Sequence, residues 1–198
     1  MLGSYTATPT GSAVTSHLGY NLIYQNVGGP CEDGYYCPEG APIMIPCTPG
    51  YICNSALNGG PVSVPTLKCT DKYYCPPRTT SKIGSGIQPE ILCPDGYYCG
   101  DGAAEPIPCP AGTYHDITDS SYRNLKLKTE CTQCTANYYC PDIAATSVDT
   151  TNHKCEAGFT CEAGSTHKRF TVCPKGFSCP IWSVTARACD YTDGEYQD

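Results

Sequence analysis

The sequence predicts a small disulfide-rich fold: an elongated tandem array of short β-hairpin and loop modules with almost no helix. Three observations support this prediction. The chain has 17 cysteines in 198 residues, it has few aliphatic side chains, and one seven-residue motif returns along it. The motif is clearest as CEDGYYC at residues 31–37 and as CPDGYYC at residues 93–99. A catalytic motif is normally needed once, so its repetition indicates a building unit.

The apolar content is too low for an ordinary hydrophobic core. The chain has 11 Ile, 8 Leu, 7 Val and 3 Phe, which is 29 of 198 residues, below the roughly 20% under which a chain struggles to bury a core. Only 16% of the residues are charged, which does not indicate disorder. Disulfides compensate by restricting the unfolded chain. At this density they predict an extracellular or cell-surface location.

Dividing the chain before the leading cysteine of each motif gives nine pieces, which we call modules 1 to 9. Their starts lie 16 to 25 residues apart, at Cys31, Cys47, Cys69, Cys93, Cys109, Cys134, Cys155, Cys173 and Cys189. In seven of them a second cysteine follows six residues after the first. A fixed signature with a period near 20 is the mark of a repeat array.

The motif is typical of a tight turn followed by an extended return. Glycine at its fourth place accepts a positive φ, and the aromatic pair after the glycine favours extended backbone. Lys72 and Asn137 replace this glycine in modules 3 and 6. Because lysine adopts a positive φ poorly, module 3 is expected to be the most distorted. The segments between motifs predict extended spacers, and only residues 120–130 have the composition of a helical turn or two.

Two disulfide schemes fit the spacing, and sequence alone excludes neither. A ladder scheme would join each second cysteine to the next module, for example Cys99 to Cys109. This scheme leaves Cys31 unpaired. Cys131 and Cys134 would then either remain free or form a disulfide with each other in a tight ring. Parity favours consecutive pairing, which leaves only Cys189 unpaired or intermolecular. The consecutive pairs are Cys31 with Cys37, Cys47 with Cys53, Cys69 with Cys75, Cys93 with Cys99, Cys109 with Cys131, Cys134 with Cys140, Cys155 with Cys161, and Cys173 with Cys179.

The stretch CPDGYYCGDGAAEPIPCPAGTY, with ECTQC after it, resembles the ephrin-receptor-like cysteine-rich repeats of protist surface and secreted proteins. More distantly, it is similar to the repeats of tumour-necrosis-factor receptors. The resemblance covers residues 31–189 and is best over residues 93–140. It implies an extracellular, elongated array of small disulfide modules, and it implies no catalytic residue.

No set of residues indicates catalysis, a cofactor or a metal site. The histidines have no partner at catalytic or ligand spacing and are expected to be exposed loop residues: His17, His115, His153 and His167. Zinc sites prefer paired C-x2-C spacings, and only Cys131 and Cys134 have one. The acidic residues do not match the spaced calcium-loop pattern. The sequence therefore predicts a protein that is not an enzyme and needs no cofactor.

Composition also limits the partners. A net charge of −7 argues against nucleic acid, and no apolar run is long enough for a membrane span. The N-terminal residues lack the features of a signal peptide, so we expect the chain to be a segment of a longer precursor. The Ser/Thr/Pro-rich stretches are typical of O-glycosylated or flexible segments. The tyrosines are expected to cover the disulfides, and the alternative is a glycan-binding platform.

The sequence divides into three regions: a Ser/Thr-rich arm at residues 1–30, tandem repeats at residues 31–188, and an incomplete repeat or tail at residues 189–198. HLGYNLIYQNV at residues 17–27 predicts a strand. Its apolar residues form the predicted assembly arm: Leu18, Tyr20, Leu22, Ile23 and Tyr24. An unpaired strand tends to pair with the exposed edge strand of another sheet. If this contact joins unlike ends of two copies, it does not close and gives a filament.

The predicted function is therefore that of an extracellular structural protein. Its disulfide-stapled rod would assemble head to tail, with copies of itself as partners, into a filament, appendage or surface coat. The alternative is an ectodomain fragment of a receptor or adhesin that binds a protein or a glycan.

Overall fold

The computed structural model describes residues 4–5, 29–82, 88–119 and 124–189. These residues form a series of two-residue antiparallel strand pairs, with one α-helical turn at Ser55–Asn58 and one 3-10 turn at Lys128–Glu130. The predicted fold class, a small disulfide-rich series of hairpin modules with almost no helix, is confirmed. The strand predicted at residues 17–27 lies outside the described residues.

The chain divides into two compact units. Unit 1 comprises residues 1–92 and 99–106. It contains three antiparallel strand pairs: β1 (Ser4–Tyr5) with β2 (Gly29–Pro30), β3 (Tyr35–Tyr36) with β4 (Ile45–Pro46), and β5 (Tyr73–Tyr74) with β6 (Ile91–Leu92). In module 2 a single bridge between Tyr51 and Lys68 takes the place of a strand pair.

Unit 2 comprises residues 93–98 and 107–198. It contains four strand pairs: β7 (Tyr97–Tyr98) with β8 (Ile107–Pro108), β9 (Thr113–Tyr114) with β10 (Thr132–Gln133), β11 (Phe159–Thr160) with β12 (Thr171–Val172), and β13 (Phe177–Ser178) with β14 (Arg187–Ala188). In module 6 the bridge joins Tyr138 and Lys154.

One register is common to the hairpins. The two residues after the motif turn pair with the two residues that precede the leading cysteine of the next module, as Tyr35 pairs with Pro46 and Tyr36 with Ile45. The next leading cysteine then donates its N–H to the carbonyl of the turn residue, for example Cys47 to Gly34 at 2.8 Å. Each hairpin therefore ends by placing the first cysteine of the following module.

The motif turn requires a left-handed residue at its fourth place. The glycines there have φ between 81° and 86°, a conformation that costs other residues about 1–2 kcal/mol. In module 3, Lys72 takes a left-handed conformation as well, with φ 73°, further from the range of the motif glycines than Asn137 of module 6 with φ 78°. Tyr73 still donates its N–H to the carbonyl of Thr70 at 3.1 Å. The hydrogen bonds of the turn offset the cost of the left-handed lysine.

The disulfides join consecutive cysteines. Seven of the pairs are Cys31–Cys37, Cys47–Cys53, Cys69–Cys75, Cys109–Cys131, Cys134–Cys140, Cys155–Cys161 and Cys173–Cys179. Cys93 and Cys99 are disulfide-bonded as well. The seven pairs have Cα separations of 5.7–5.9 Å, within the range that disulfides require. Cys189 is a free thiol.

The cores of the modules are built on these disulfides. Most of the bonded cysteines are fully buried, and each core cluster adds at most one buried aliphatic residue to a disulfide. Ile52 packs against Cys69 and Cys75, and Leu125 packs against Cys109 and Cys131. The tyrosines of the motif cover these clusters as half-buried side chains, in agreement with the expectation from the shortage of aliphatic residues.

The two helical turns have local causes. The side chain of Asn54 caps the Ser55–Asn58 turn by accepting the N–H of Leu57 at 3.0 Å, and Gly59 ends it with φ 75°. This turn was not predicted. The 3-10 turn at Lys128–Glu130 lies inside the segment predicted for helical structure, and the Glu130 carboxylate accepts the N–H of Lys126 at 2.6 Å.

Reduction should abolish the folded state. A disulfide that closes a seven-residue loop contributes about 2.4 kcal/mol, and eight disulfides together exceed the roughly 5–15 kcal/mol that stabilises an ordinary domain. We expect full reduction at room temperature to remove the circular dichroism of the hairpins and the resistance to protease. Native circular dichroism and protease resistance after complete reduction would contradict this.

Candidate assembly surface

Backbone hydrogen bonds join each module to the next within each of the two units. The turn residue of one module donates its N–H to the carbonyl of the second cysteine of the following module. The donor and acceptor lie 2.8–3.0 Å apart in the pairs Gly34 to Cys53, Gly50 to Cys75, Lys72 to Cys99, Gly112 to Cys140, Asn137 to Cys161, and Gly158 to Cys179. One contact between modules is thus made repeatedly by different residue types, because it uses only backbone groups.

The second cysteine also donates its N–H to the following module. Its acceptor is usually the carbonyl four residues beyond the next second cysteine, at 2.9–3.0 Å in the pairs Cys53 to Thr79, Cys75 to Ala103, Cys140 to Ser165, and Cys161 to Ser183. Cys37 donates instead to the carbonyl of Val62 at 2.8 Å, beyond the inserted helical turn. The inter-module hydrogen bonds therefore tolerate an insertion in the loop.

A second turn, just after the second cysteine, makes the reciprocal bond. Its left-handed residue donates its N–H to the leading-cysteine carbonyl of the preceding module at 2.9–3.3 Å. The pairs are Arg78 to Cys47, Gly102 to Cys69, Ala144 to Cys109, Gly164 to Cys134, and Trp182 to Cys155. Both cysteines of a disulfide thus present their backbone groups to a neighbouring module.

The motif glycines also provide space for the module two places further along. A Cβ at Gly50 would meet the carbonyl oxygen of Gly102, and a Cβ at Gly96 would meet that of Ala144. The requirement for glycine therefore has two causes, the positive φ of the turn and the close approach of another backbone. Side chains add to this contact, since the Arg78 guanidinium lies 4.7 Å from the ring centroid of Tyr35.

Module 5 departs from the pattern at His115, which occupies the place of the second cysteine. Its side chain is 1% exposed, so the expectation of an exposed loop histidine is wrong for this residue. The backbone N–H of His115 donates to the carbonyl of Ala145 at 2.8 Å, as a second cysteine would. Its Nδ1 accepts the N–H of Gly96 at 3.1 Å, in place of the usual carbonyl. The imidazole thus replaces both a disulfide half and a backbone acceptor.

Counting places from the leading cysteine would have revealed this histidine. Cys109 lies six residues before His115, and its disulfide partner is Cys131 instead. His153 and His167 are not buried in this way: His153 packs against Tyr139 with ring centroids 4.8 Å apart, and His167 is exposed. His17 lies outside the described residues.

The last described hairpin lies in module 8, and the residues that follow Cys189 lie outside the described residues. In the part of the chain that the structure describes, the N–H groups of Gly176 and Cys179 and the carbonyl of Cys173 have no hydrogen-bond partner. These are the groups that bond to a following module elsewhere. Beside them Phe177 is 41% and Trp182 is 50% exposed. We call this surface the module-8 edge.

The motif glycines of modules 7 and 8 have no close backbone neighbour within the described residues. Among the described residues, no atom lies within 4 Å of a Cβ built on Gly158 or Gly176, whereas the corresponding Cβ at Gly50 would meet backbone.

Cys189 lies at the end of this hairpin. Its N–H donates to the carbonyl of Gly176 at 3.1 Å, so it occupies the place of a leading cysteine, and its free thiol is partly exposed. The predicted assembly-arm residues, Leu18, Tyr20, Leu22, Ile23 and Tyr24, lie outside the described residues. Within the arm the structure describes β1, which pairs with β2 of the same chain.

A cluster of metal-ligand residue types serves a structural role. Sulfur atoms of Cys69 and Cys75 and an oxygen of Glu90 lie within 4.8 Å of one another. The two sulfurs form a disulfide, so neither is a thiolate that could bind a metal. The buried Glu90 carboxylate accepts the N–H of Thr70 at 2.9 Å. It thereby stabilises the backbone of the module 3 turn.

Exposed carboxylates close loops on the surface. Glu156 accepts hydrogen bonds from Arg169, at 2.8 Å and 3.0 Å, and contacts Lys168 at 3.1 Å. These partners, Arg169 foremost, lower the pKa of Glu156 to about 2. Asp149 accepts the N–H groups of Asn152 and Thr151, which lower its pKa to about 2.

Known proteins similar to this chain share only part of it. No protein-family model matches it. It is 31% identical to "ABC transporter G family member 25" of Oryza sativa subsp. japonica, over 40% of this chain and 10% of the transporter. It is 30% identical to "ABC-type transporter claG" of Penicillium crustosum, over 40% of this chain and 11% of that protein. The chain thus matches about a tenth of the length of these relatives. Among the described residues, no helix is both long and apolar enough to cross a membrane.

Alanine substitution should separate the two causes of the glycine requirement. Gly50 and Gly158 have nearly equal φ, 86° and 85°, but within the described residues only Gly50 faces backbone that a Cβ would meet. We expect Gly158→Ala to cost about 1–2 kcal/mol for the left-handed conformation. Gly50→Ala should cost more than Gly158→Ala, by about 1–3 kcal/mol as for other overpacked sites, because backbone must shift. Urea unfolding measures both values, and equal losses would contradict the close approach.

His115→Ala should destabilise the protein by about 2–4 kcal/mol, as a buried truncation that also loses a hydrogen bond. The substitution removes a buried side chain and leaves the N–H of Gly96 without its acceptor, which alone costs about 1–3 kcal/mol. The control is His167→Ala, which changes an exposed histidine and should stay within about 0.5 kcal/mol of the parent. If urea unfolding gave similar values for both variants, the buried hydrogen bond would not contribute as described.

Proposed function

We propose that this chain is an extracellular structural protein, a disulfide-stapled repeat array that assembles head to tail with copies of itself into a filament, appendage or surface coat. One observation carries the proposal: the same inter-module backbone hydrogen bonds recur along each unit. A contact that is repeated from module to module suits an extended array.

The interactions of the residues that could take part in catalysis support a structural and non-catalytic role. Sixteen cysteines are disulfide-bonded, the buried His115 accepts a backbone N–H, and the buried Glu90 does the same. These groups hold the backbone in place and present no nucleophile with its base. The density of disulfides is typical of an oxidising compartment, which agrees with an extracellular location.

The second candidate is a disulfide-rich extracellular segment of a larger membrane protein, such as a receptor, an adhesin or a transporter. The similarity to two proteins named as ABC transporters favours it, because the chain aligns with about a tenth of each. In this function the repeats would bind a protein or a glycan, and the half-buried tyrosines would provide the aromatic surface.

Purified oxidised chain without any partner distinguishes the two candidates. The structural proposal predicts fibres in negative-stain micrographs and a sedimenting fraction that grows with protein concentration. The second candidate predicts a monomer at all concentrations. A monodisperse monomer up to millimolar concentration would overturn the proposal of a self-assembling structural protein.

A further inference from the structure

We propose that Lys154 and Trp182 form a binding site for an acidic sugar chain. The indole ring would stack on a pyranose ring, and the ammonium group would pair with an anionic group of the same sugar. The site goes beyond the proposed structural function and does not depend on self-assembly. Its basis is one position of the repeat that two modules fill with lysine and surround differently.

The two lysines occupy equivalent positions. Lys68 and Lys154 each stand directly before the leading cysteine of the next module, and each forms the single bridge of its own module, in modules 2 and 6. Both side chains reach the second turn two modules further along. The Cδ of Lys68 lies 3.3 Å from a Cβ built on Gly102. The Nζ of Lys154 lies 4.6 Å from the ring centroid of Trp182.

At Lys68 this position forms a salt bridge. Its Nζ lies 3.1 Å from a carboxylate oxygen of Asp101, the residue before Gly102. The hydrogen bond to Asp101 raises the pKa of Lys68, and the two opposite charges offset each other. Glycine at the second turn adds no side chain that a ligand could contact. The position around Lys68 is therefore suited to holding the modules together.

At Lys154 the same position has different neighbours. Ile181, which is 57% exposed, stands in the place of Asp101, and Trp182, which is 50% exposed, stands in the place of Gly102. Among the described residues, no carboxylate forms an ion pair with Lys154. The ammonium group contacts the indole ring instead. This position thus presents a cation beside an exposed aromatic ring.

The backbone holds the ring and the cation together. Trp182 has a left-handed φ of 71°, and its N–H donates to the carbonyl of Cys155 at 3.3 Å. Cys155 directly follows Lys154, so this hydrogen bond between modules also places the tryptophan next to the lysine. A pair that is positioned before a ligand arrives loses less conformational freedom on binding.

The chemistry of the pair selects the ligand. The C–H groups of a pyranose ring form an apolar face that packs on the face of an aromatic ring, and the ammonium group attracts an anion. Residues 154–188 contain five cationic and two anionic residues, whereas the whole chain has a net charge of −7. A neutral sugar would use only the ring, and an acidic peptide would use mainly the cation. An acidic sugar uses both.

The site has its own reporter, because Trp182 is the single tryptophan in the sequence. We expect a titration of the oxidised full chain with trigalacturonate, at low salt, to give a saturable change in tryptophan fluorescence. A sulfated carrageenan oligosaccharide tests the other source of the anionic group. Saturable binding of either probe supports the site, and the tighter of the two identifies the anionic group.

Substitutions at the two equivalent positions provide matched controls. Lys154→Gln should weaken the binding of the tighter probe about fivefold, as for loss of an ion pair at a partly exposed site. Lys68→Gln should leave the affinity unchanged. Trp182→Gly places at the second turn the residue that modules 4 and 7 use there, so it should fold. It should lose binding in isothermal titration calorimetry.

Four outcomes would overturn the site. They are unchanged fluorescence with both sugars at millimolar concentration, equal losses from Lys154→Gln and Lys68→Gln, equal affinity for the neutral methyl ester of trigalacturonate, and equal affinity for triglutamate. The last outcome would show that charge alone is recognised and that the ligand is an acidic peptide. Whether the parent chain forms fibres does not enter these measurements, so failure of the site leaves the proposed structural function standing.

Discussion

The disulfide between the two cysteines of a module is the constraint on which the other contacts depend. It holds the two cysteines at a fixed separation and so fixes the backbone groups on both sides of the turn. Those groups, the carbonyl and N–H of the second cysteine and the carbonyl of the first, are the ones that bond to neighbouring modules. Without the covalent link, a chain with so few aliphatic residues could not hold these donors and acceptors in register.

This arrangement explains why the side chains between the cysteines vary while the architecture does not. The hydrogen bonds between modules use backbone atoms, and the buried hydrophobic residues are mostly cysteines, covered in part by half-buried tyrosines. Interactions reach the second neighbour as well as the first, as the contact between Gly50 and Gly102 indicates. A module is therefore held by more than one neighbour, unlike the simplest nearest-neighbour repeat array.

The sequence was sufficient to predict the fold class because the conformation of the motif is determined by interactions within the motif. The spacing of the cysteines, the turn glycine and the extended pair each act over a few residues. The place of Lys72 in the turn was predicted, and the turn forms there with a left-handed lysine. The helical turn at Ser55–Asn58 depended on the cap by Asn54, a signal that was present in the sequence and was missed.

The candidate site was harder to predict because it depends on contacts between modules. His115 looks like a loop residue unless its place in the repeat is counted, and its hydrogen bonds join it to Gly96 and Ala145 in neighbouring modules. The left-handed position of the second turn has no fixed residue type, so no sequence motif predicts this turn. The pairing of β1 with β2 was not predicted either, because it joins residues that are far apart in the sequence.

The second turn has a further consequence for how such a chain can diversify. Its left-handed place is occupied by Gly in some modules and by Arg78, Ala144 or Trp182 in others, and the Trp182 side chain is half exposed. The backbone bond to the preceding module is kept in each case. The array thus has one position per repeat where the side chain can change while the backbone contact is kept. These positions recur along the chain at the spacing of the modules.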